Sequence, residues 1–254
     1  MPKAKAIVCT ANNRPNSLKR MLSSLSKNNT DGYVLYIQVE PGNNGVLRIA
    51  SRIDFMPTRV FENKVRLGVQ DNPFELLFAV FETFAADEVV YLEDDLILSQ
   101  DALSMANWFF DSEYSKYTEC ICSCFFRSES NLQLLPAMHS HFGSEKLIKA
   151  MARFGDGTRT GETCFTPHGI ALTFDSWMKN FKLAWYSHRW GWDFGVRTMI
   201  ANRDLYFLSP LVSRSANIGG AGERSNPIVH DRKFANMLHC RLNIPSSEFT
   251  VVDL

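Results

Sequence analysis

The stretch Glu88-Val89-Val90-Tyr91-Leu92-Glu93-Asp94-Asp95-Leu96-Ile97-Leu98 decides the reading of this chain. A β-rich apolar run enters three consecutive acids, and a second apolar run leaves them. The first run predicts a buried strand ending at the acids. Three adjacent carboxylates at such an end repel one another, and that arrangement is costly unless a cation sits among them. Hard oxygen ligands suit Mg²⁺ or Mn²⁺, ions that complete their shell with waters and substrate phosphates. The alternative is a solvated turn at a strand end. The apolar flanks on both sides favour the cation reading.

The segments before this strand repeat one pattern. Ala6-Ile7-Val8-Cys9-Thr10 is a short strand, Ala11-Asn12-Asn13-Arg14-Pro15-Asn16 a polar loop, and Leu18, Met21, Leu22 and Leu25 recur at helical spacing. A second strand over 33–39 closes at Glu40-Pro41-Gly42 and is followed by the stripe Val46, Ile49, Ala50 and Ile53. A weaker strand follows at 59–61, and Asn72-Pro73 is expected to open a helix presenting Phe74, Leu77, Phe78 and Phe81. Strands alternating with helices imply right-handed crossovers and a mainly parallel sheet, with ligands beyond the carboxyl ends of its strands.

The second half predicts a helix over 100–110, strands over 120–126, 169–174 and 205–213, and helices over 175–181, 192–201 and 232–240. Asp175 is the expected cap of the first of these last three helices. No linker, repeat or low-complexity segment interrupts the chain. One domain over 1–254 is expected, with two functional halves, 1–98 and 99–254.

The 254 residues are 45% hydrophobic and 21% charged, a composition for a folded core. Lys plus Arg and Asp plus Glu total 27 each, so no net field gathers nucleic acid over a distance. Six Cys lack the C-x-x-C spacing of zinc sites, and Cys120, Cys122 and Cys124 alternate as strand residues do. The apolar run near the start is too short for a signal region or a membrane span. A reducing, cytoplasmic setting is expected. No G-x-G-x-x-G follows the first strand, which counts against a dinucleotide-dependent oxidoreductase.

These segments together resemble the inverting N-acetylglucosaminyltransferases of the N-acetylglucosaminyltransferase I type and, more loosely, other GT-A glycosyltransferases. The resemblance is carried by Ile7 to Pro15, by Val39-Glu40-Pro41-Gly42, and most specifically by Val90-Tyr91-Leu92-Glu93-Asp94-Asp95-Leu96. It implies a GT-A (Rossmann-like) α/β/α sandwich and a metal-dependent, inverting transfer from a nucleoside-diphosphate sugar, UDP above GDP or dTDP. The acceptor would be a hydroxyl on a glycan, a lipid-linked sugar or a protein. Asp95 would coordinate Mn²⁺ or Mg²⁺, Asp94 would contact the ribose or the ion's water shell, and Glu93 the donor sugar. Asn13, Arg14 and Glu40 would hold the nucleotide. Arg14 also reads as a solvated loop residue.

Trp190-Gly191-Trp192-Asp193-Phe194-Gly195-Val196-Arg197 is similar to the family's segment bearing the catalytic base, which makes Asp193 the candidate. Relatives commonly place two acids there, whereas Phe194 follows Asp193 here. Asp175, Glu162 and Asp156 are the substitutes nearest in sequence. The other reading of Asp193 is a helix cap. Of Trp190 and Trp192, one at most is expected to face a sugar. His168 and His230 read either as metal or phosphate ligands or as polar loop residues. The Gly-rich stretch 217–227 reads as a lid over the diphosphate or as a surface loop, with Arg214 and Arg224 as its cations. Two rivals remain. A sugar nucleotidyltransferase would carry a Gly-rich basic loop after its first strand, which Asn12-Asn13-Arg14-Pro15 is not. A non-catalytic sugar-binding module would not need the three acids and Asp193.

Overall fold

A computed structural model describes residues 3–127, 145–155, 165–219, 240 and 242–252. The helix expected over 232–240 lies outside them, apart from its last residue.

Eleven strands form in the described residues: β1 (Lys5–Ala11), β2 (Tyr33–Val39), β3 (Thr58–Glu62), β4 (Glu88–Glu93), β5 (Leu96–Leu98), β6 (Cys120–Cys124), β7 (Ala150–Phe154), β8 (Ile170–Thr173), β9 (Tyr206–Pro210), β10 (Ser215–Asn217) and β11 (Thr250–Val252). Nine of them make one sheet in the order β11-β7-β9-β6-β8-β4-β1-β2-β3. β1 runs parallel to β2 and β4, β2 to β3, β6 to β9 and β7 to β11. Antiparallel pairs occur where β8 meets β4 and β6, and where β7 meets β9. The fold is α/β with a mainly parallel central sheet. β5 and β10 pair separately as a small antiparallel ribbon.

Alternation along the central strands explains the layers. Val8, Val89 and Tyr91 point into one core with Leu76 and Leu77, Trp177, Trp185 and Trp192. Ile7, Cys9, Val90 and Leu92 point into the other, with Leu18, Met21 and Phe109. Buried on both faces, β1 and β4 are continuously apolar through their middles, over Ala6–Cys9 and Val89–Leu92. On the second face lie α1 (Pro15–Leu25), α2 (Asn44–Ala50) and α4 (Ala102–Asp111). On the first lie α3 (Gly68–Phe78), the helical run Phe174–Ser176, Trp177–Phe181 and Lys182–Ala184, and α5 (Trp192–Arg203).

Three local expectations are corrected. α3 begins at Gly68 instead of Asn72-Pro73, leaving Pro73 inside the helix. The extra turn is held from outside: the Glu40 carboxylate accepts the backbone N–H of Leu67 at 3.0 Å and of Gly68 at 2.6 Å. The helix from Phe174 is capped by Thr173, whose hydroxyl accepts the Ser176 N–H at 3.2 Å, while Asp175 pairs with Lys179 on the surface. β6 ends at Cys124 after a register shift between Cys120 and Ser123, and β9 spans only Tyr206–Pro210. The short strands β5, β7, β10 and β11 have no periodicity long enough to announce them.

Candidate functional site

β1 to β4 are parallel, so their carboxyl ends share one edge of the sheet. Glu93, the last residue of β4, stands opposite Thr10 of β1. The chain turns immediately, and Asp94 and Asp95 occupy the turn before β5 with 1% and 5% of their surface exposed. They are therefore not a solvated decoration.

Arg14 compensates them. Pro15 occupies the first turn of α1, where its missing N–H costs nothing, and this sets Arg14 at the helix mouth. Its Nη1 donates to Asp95 Oδ2 at 2.5 Å, and its Nη2 donates to Asp94 Oδ1. The backbone N–H of Asn12 donates to the other Asp94 oxygen at 3.2 Å. Asn13, next to it, is exposed.

A second wall comes from the end of β10. The Ile218 N–H donates to the Asp95 carbonyl at 2.8 Å, and Asn217 Nδ2 approaches Asp95 Oδ1 at 3.5 Å. Gly219 follows so closely that a Cβ there would lie 1.9 Å from Asp95 Oδ2 and 2.8 Å from Arg14 Nη1. Glycine at this position is a requirement of close approach.

Asp193 lies in the first turn of α5. The cap of that helix is Gly191, φ +141°, with no side-chain capping bond, so Asp193 does not serve as the cap. Its carboxylate pairs with Arg197 at 3.4 Å. Trp192 beside it is core, stacked on Trp185 at 4.3 Å and meeting the edge of Tyr91 at 5.8 Å. Trp190 is the exposed member of the pair, at 60%.

Comparison with solved structures finds distant similarity to glycosyltransferases. Galactosyltransferase LgtC, in complex with donor and acceptor sugar analogues, is 12% identical over 92% of this chain and 84% of its own, with a TM-score of 0.49. The mannosyltransferase PcManGT of Pyrobaculum calidifontis, solved with GDP-Man and Mn²⁺, is 13% identical over 68% of this chain, with a TM-score of 0.45. S. aureus TarS matches 44% of this chain at 16% identity and a TM-score of 0.38. The chain spans 20% of TarS and 45% of PcManGT. No family model and no curated protein matches. The α/β architecture itself is established by the strand order.

Electrostatics tie the acids into one unit. Burial pushes the Glu93 carboxyl well above the ordinary range, Asp95 and Asp94 push it further, Arg14 opposes them, and Asp193 adds to the rise. Asp193 is thus within Coulombic reach of Glu93. Burial also raises Asp94, against the pull of Arg14. Beneath them Cys9 is held as a thiol, first by burial and then by the same carboxylates.

The fit of a divalent ion follows from the donor chemistry. Among the described residues no three His, Cys, Asp or Glu side chains converge as a ligand group. A Mg²⁺-type ion, however, is commonly held by one or two carboxylates with substrate phosphates supplying the rest. Asp94 and Asp95 meet that description, with Arg14 now bridging them.

Two expected site residues are placed elsewhere. Arg214 is 0% exposed, its Nε pairs with Asp101 at 2.8 Å, and Nη1 and Nη2 each donate at 2.5 Å to the carbonyls of Val212 and Ile148. Every nitrogen is committed, so it is not a cation for a diphosphate. Glu40 is 3% exposed, with both carboxylate oxygens taken by Leu67, Gly68 and Asn63. It holds the α3 terminus in place of a nucleotide. Arg224, His230, Asp156 and Glu162 lie outside the described residues, as does the stretch 217–227 beyond Gly219. His168 meets Phe126 edge-on at 4.8 Å, and its carbonyl accepts the Ser215 hydroxyl at 2.5 Å. Asn217 and Gly219 were missed as site residues. Their signal was the glycine-rich composition after Asn217, which does not say what the glycine must approach.

Proposed function

We propose that this protein is a glycosyltransferase that uses a nucleoside-diphosphate sugar and transfers the sugar with inversion to an acceptor hydroxyl. The observation that carries the reading is the pair Asp94 and Asp95, buried at the carboxyl edge of parallel strands with one arginine laid between them. Such an edge is where α/β sheets receive ligands. Asp95 with Asp94 would hold Mn²⁺ or Mg²⁺, which when bound offsets charge on the departing diphosphate. Arg14, released from the carboxylates, would pair with the diphosphate, and Asn13 in the same exposed loop would meet the nucleotide, UDP by resemblance. Glu93, whose carboxyl is pushed up first by burial and then by Asp95 and Asp94, would meet the donor sugar.

Asp193 is the proposed base. It is tethered by Arg197, adds to the electrostatic field at Glu93, and is free of a capping duty, which supports a carboxylate that takes the acceptor proton. As the anomeric bond to phosphate breaks, the acceptor oxygen forms the new bond from the opposite side and its proton passes to Asp193. We assign both halves, 1–98 for donor and 99–254 for acceptor, to a single domain. The acceptor would be a glycan, lipid-linked or protein hydroxyl, and the reaction cytoplasmic. No described helix is long and apolar enough to cross a membrane.

The test is release of nucleoside diphosphate from UDP-, GDP- and dTDP-sugars with Mn²⁺, with and without EDTA. Metal-dependent release from one donor, lost in Asp95→Ala, supports the transferase. Silence across the panel, with no metal-dependent nucleotide binding, removes it in favour of a binding module.

A further inference from the structure

β6 runs in the same direction as β4, because each is antiparallel to β8. The residues after Cys124 therefore emerge at the edge that carries Glu93. The third of them, Arg127, is held at its backbone, where its N–H donates to Ser213 Oγ at 3.0 Å. Ser209 Oγ fastens the preceding carbonyl, that of Phe126, at 2.9 Å. Its side chain is another matter. Arg127 is 4% exposed, yet Nε, Nη1 and Nη2 are all buried without a hydrogen-bond partner among the described residues. The ring of Phe154 lies 5.5 Å from Cζ.

The contrast with Arg214 is instructive. That arginine is also fully buried, but a carboxylate and two carbonyls satisfy it. Burial lowers the Arg127 pKa to about 10, which still leaves the group charged at neutral pH. An aromatic face returns only a modest stabilisation to a cation. Desolvating an unpaired ion costs much more than that, even after relaxation. The ring cannot offset that, and no described residue supplies the missing counter-charge to the arginine. Its five N–H donors form a planar fork that matches phosphate or carboxylate oxygens.

Position selects the substrate. β8 separates β6 from β4, so the strand leading to Arg127 lies two spacings, about 10 Å, from the strand leading to Glu93. Arg14 and Asn12 approach the acids from the opposite side, that of β1. A diphosphate held between Asp95 and Arg14 thus lies away from Arg127, while the β6 side belongs to whatever approaches the sugar from the acceptor half. We infer that Arg127 receives an anionic group, phosphate or carboxylate, carried by the acceptor. The acceptor assignment rests on the transferase reading above; the anion site does not.

The experiment uses the full chain with Arg127→Met and Arg127→Lys, measured by thermal melting in anion-poor buffer and with inorganic phosphate or acetate. Phosphate or acetate should raise the melting temperature of the parent, and whichever acts identifies the anion. Arg127→Met should melt about 2–4 °C above the parent without anion, because a desolvated charge has gone, and should not respond to either anion. Arg127→Lys should retain part of the response. In transfer assays on matched acceptors, Arg127→Met should lose tenfold or more on the anionic acceptor, with donor hydrolysis and the neutral acceptor unchanged. A parent indifferent to both anions, an Arg127→Met protein that melts lower or fails to fold, or equal losses on both acceptors would overturn the inference. If the parent hydrolyses no donor but its anion response disappears in Arg127→Met, the transferase reading fails and the anion site stands.

Discussion

Arg14 is the residue on which the acidic sheet edge turns. It neutralises two carboxylates that are nearly inaccessible to water, while its own side chain remains 27% exposed. Replacing it with methionine leaves Asp94 and Asp95 uncompensated, and we expect a loss of about 2–4 kcal/mol in urea unfolding. Adding Mn²⁺ or Mg²⁺ should restore much of that loss in Arg14→Met, since an ion then takes the guanidinium's place. Stability indifferent to the ion would mean that the carboxylates do not hold one. Asp193→Asn keeps shape but cannot take a proton. Transfer should fall by roughly 10²–10⁴ while nucleotide affinity, measured by calorimetry, stays as it was. A parallel drop in affinity would place Asp193 in binding instead.

Elements position these residues through contacts that lie far apart in the chain. α3 starts a turn early because Glu40, at the end of β2, supplies acceptors for its first amides. The widened turn Ala79–Thr83 that continues it carries Glu82, which accepts from Trp177 Nε1 at 2.9 Å and from Lys182 Nζ at 2.8 Å. Burial pushes the Glu82 carboxyl up, but the Lys182 and Trp177 hydrogen bonds outweigh it and the net shift is downward. A depressed folded value means that the contribution is present above the unfolded value near 4.3 and is lost as pH falls through the folded one. Glu82→Gln should therefore cost on the order of 0.5 kcal/mol at pH 7, after screening of a partly exposed pair, and progressively less in acid, once pH has fallen through the folded value. Chemical denaturation at pH 7 and in acid checks it. A cost that is the same at both would show that shape, not charge, joins these helices.

Across the whole molecule, the β5–β10 ribbon is tied to α4 by a fully buried ion pair, Arg214 with Asp101. Arg214→Met strands the Asp101 charge and should cost about 3–5 kcal/mol, whereas Arg214→Met with Asp101→Leu should cost much less, because both charges leave together. A urea double-mutant cycle measures the difference. Additive costs would deny the coupling. Since Ile218 and Gly219, just beyond the strand that follows Arg214, close over Asp95, loosening this pair should also loosen the acidic edge, which links a distant core contact to Asp95.

The sequence by itself determined the alternation of strands and helices in the first half, the parallel sheet, and the acids at the end of β4. Long apolar runs buried on both faces and helical stripes such as Leu18, Met21, Leu22 and Leu25 are local signals that survive without tertiary context. Only the tertiary structure decided what each charged residue faces. Arg14 and Arg214 look alike in the chain, and so do Glu40 and Asp95, because a charge announces its type but not its partner. Burial assigned Arg214 to Asp101 and Glu40 to the α3 amides, left Arg14 between the two aspartates, and brought Arg127 to the sheet edge with no hydrogen-bond partner for its side chain among the described residues.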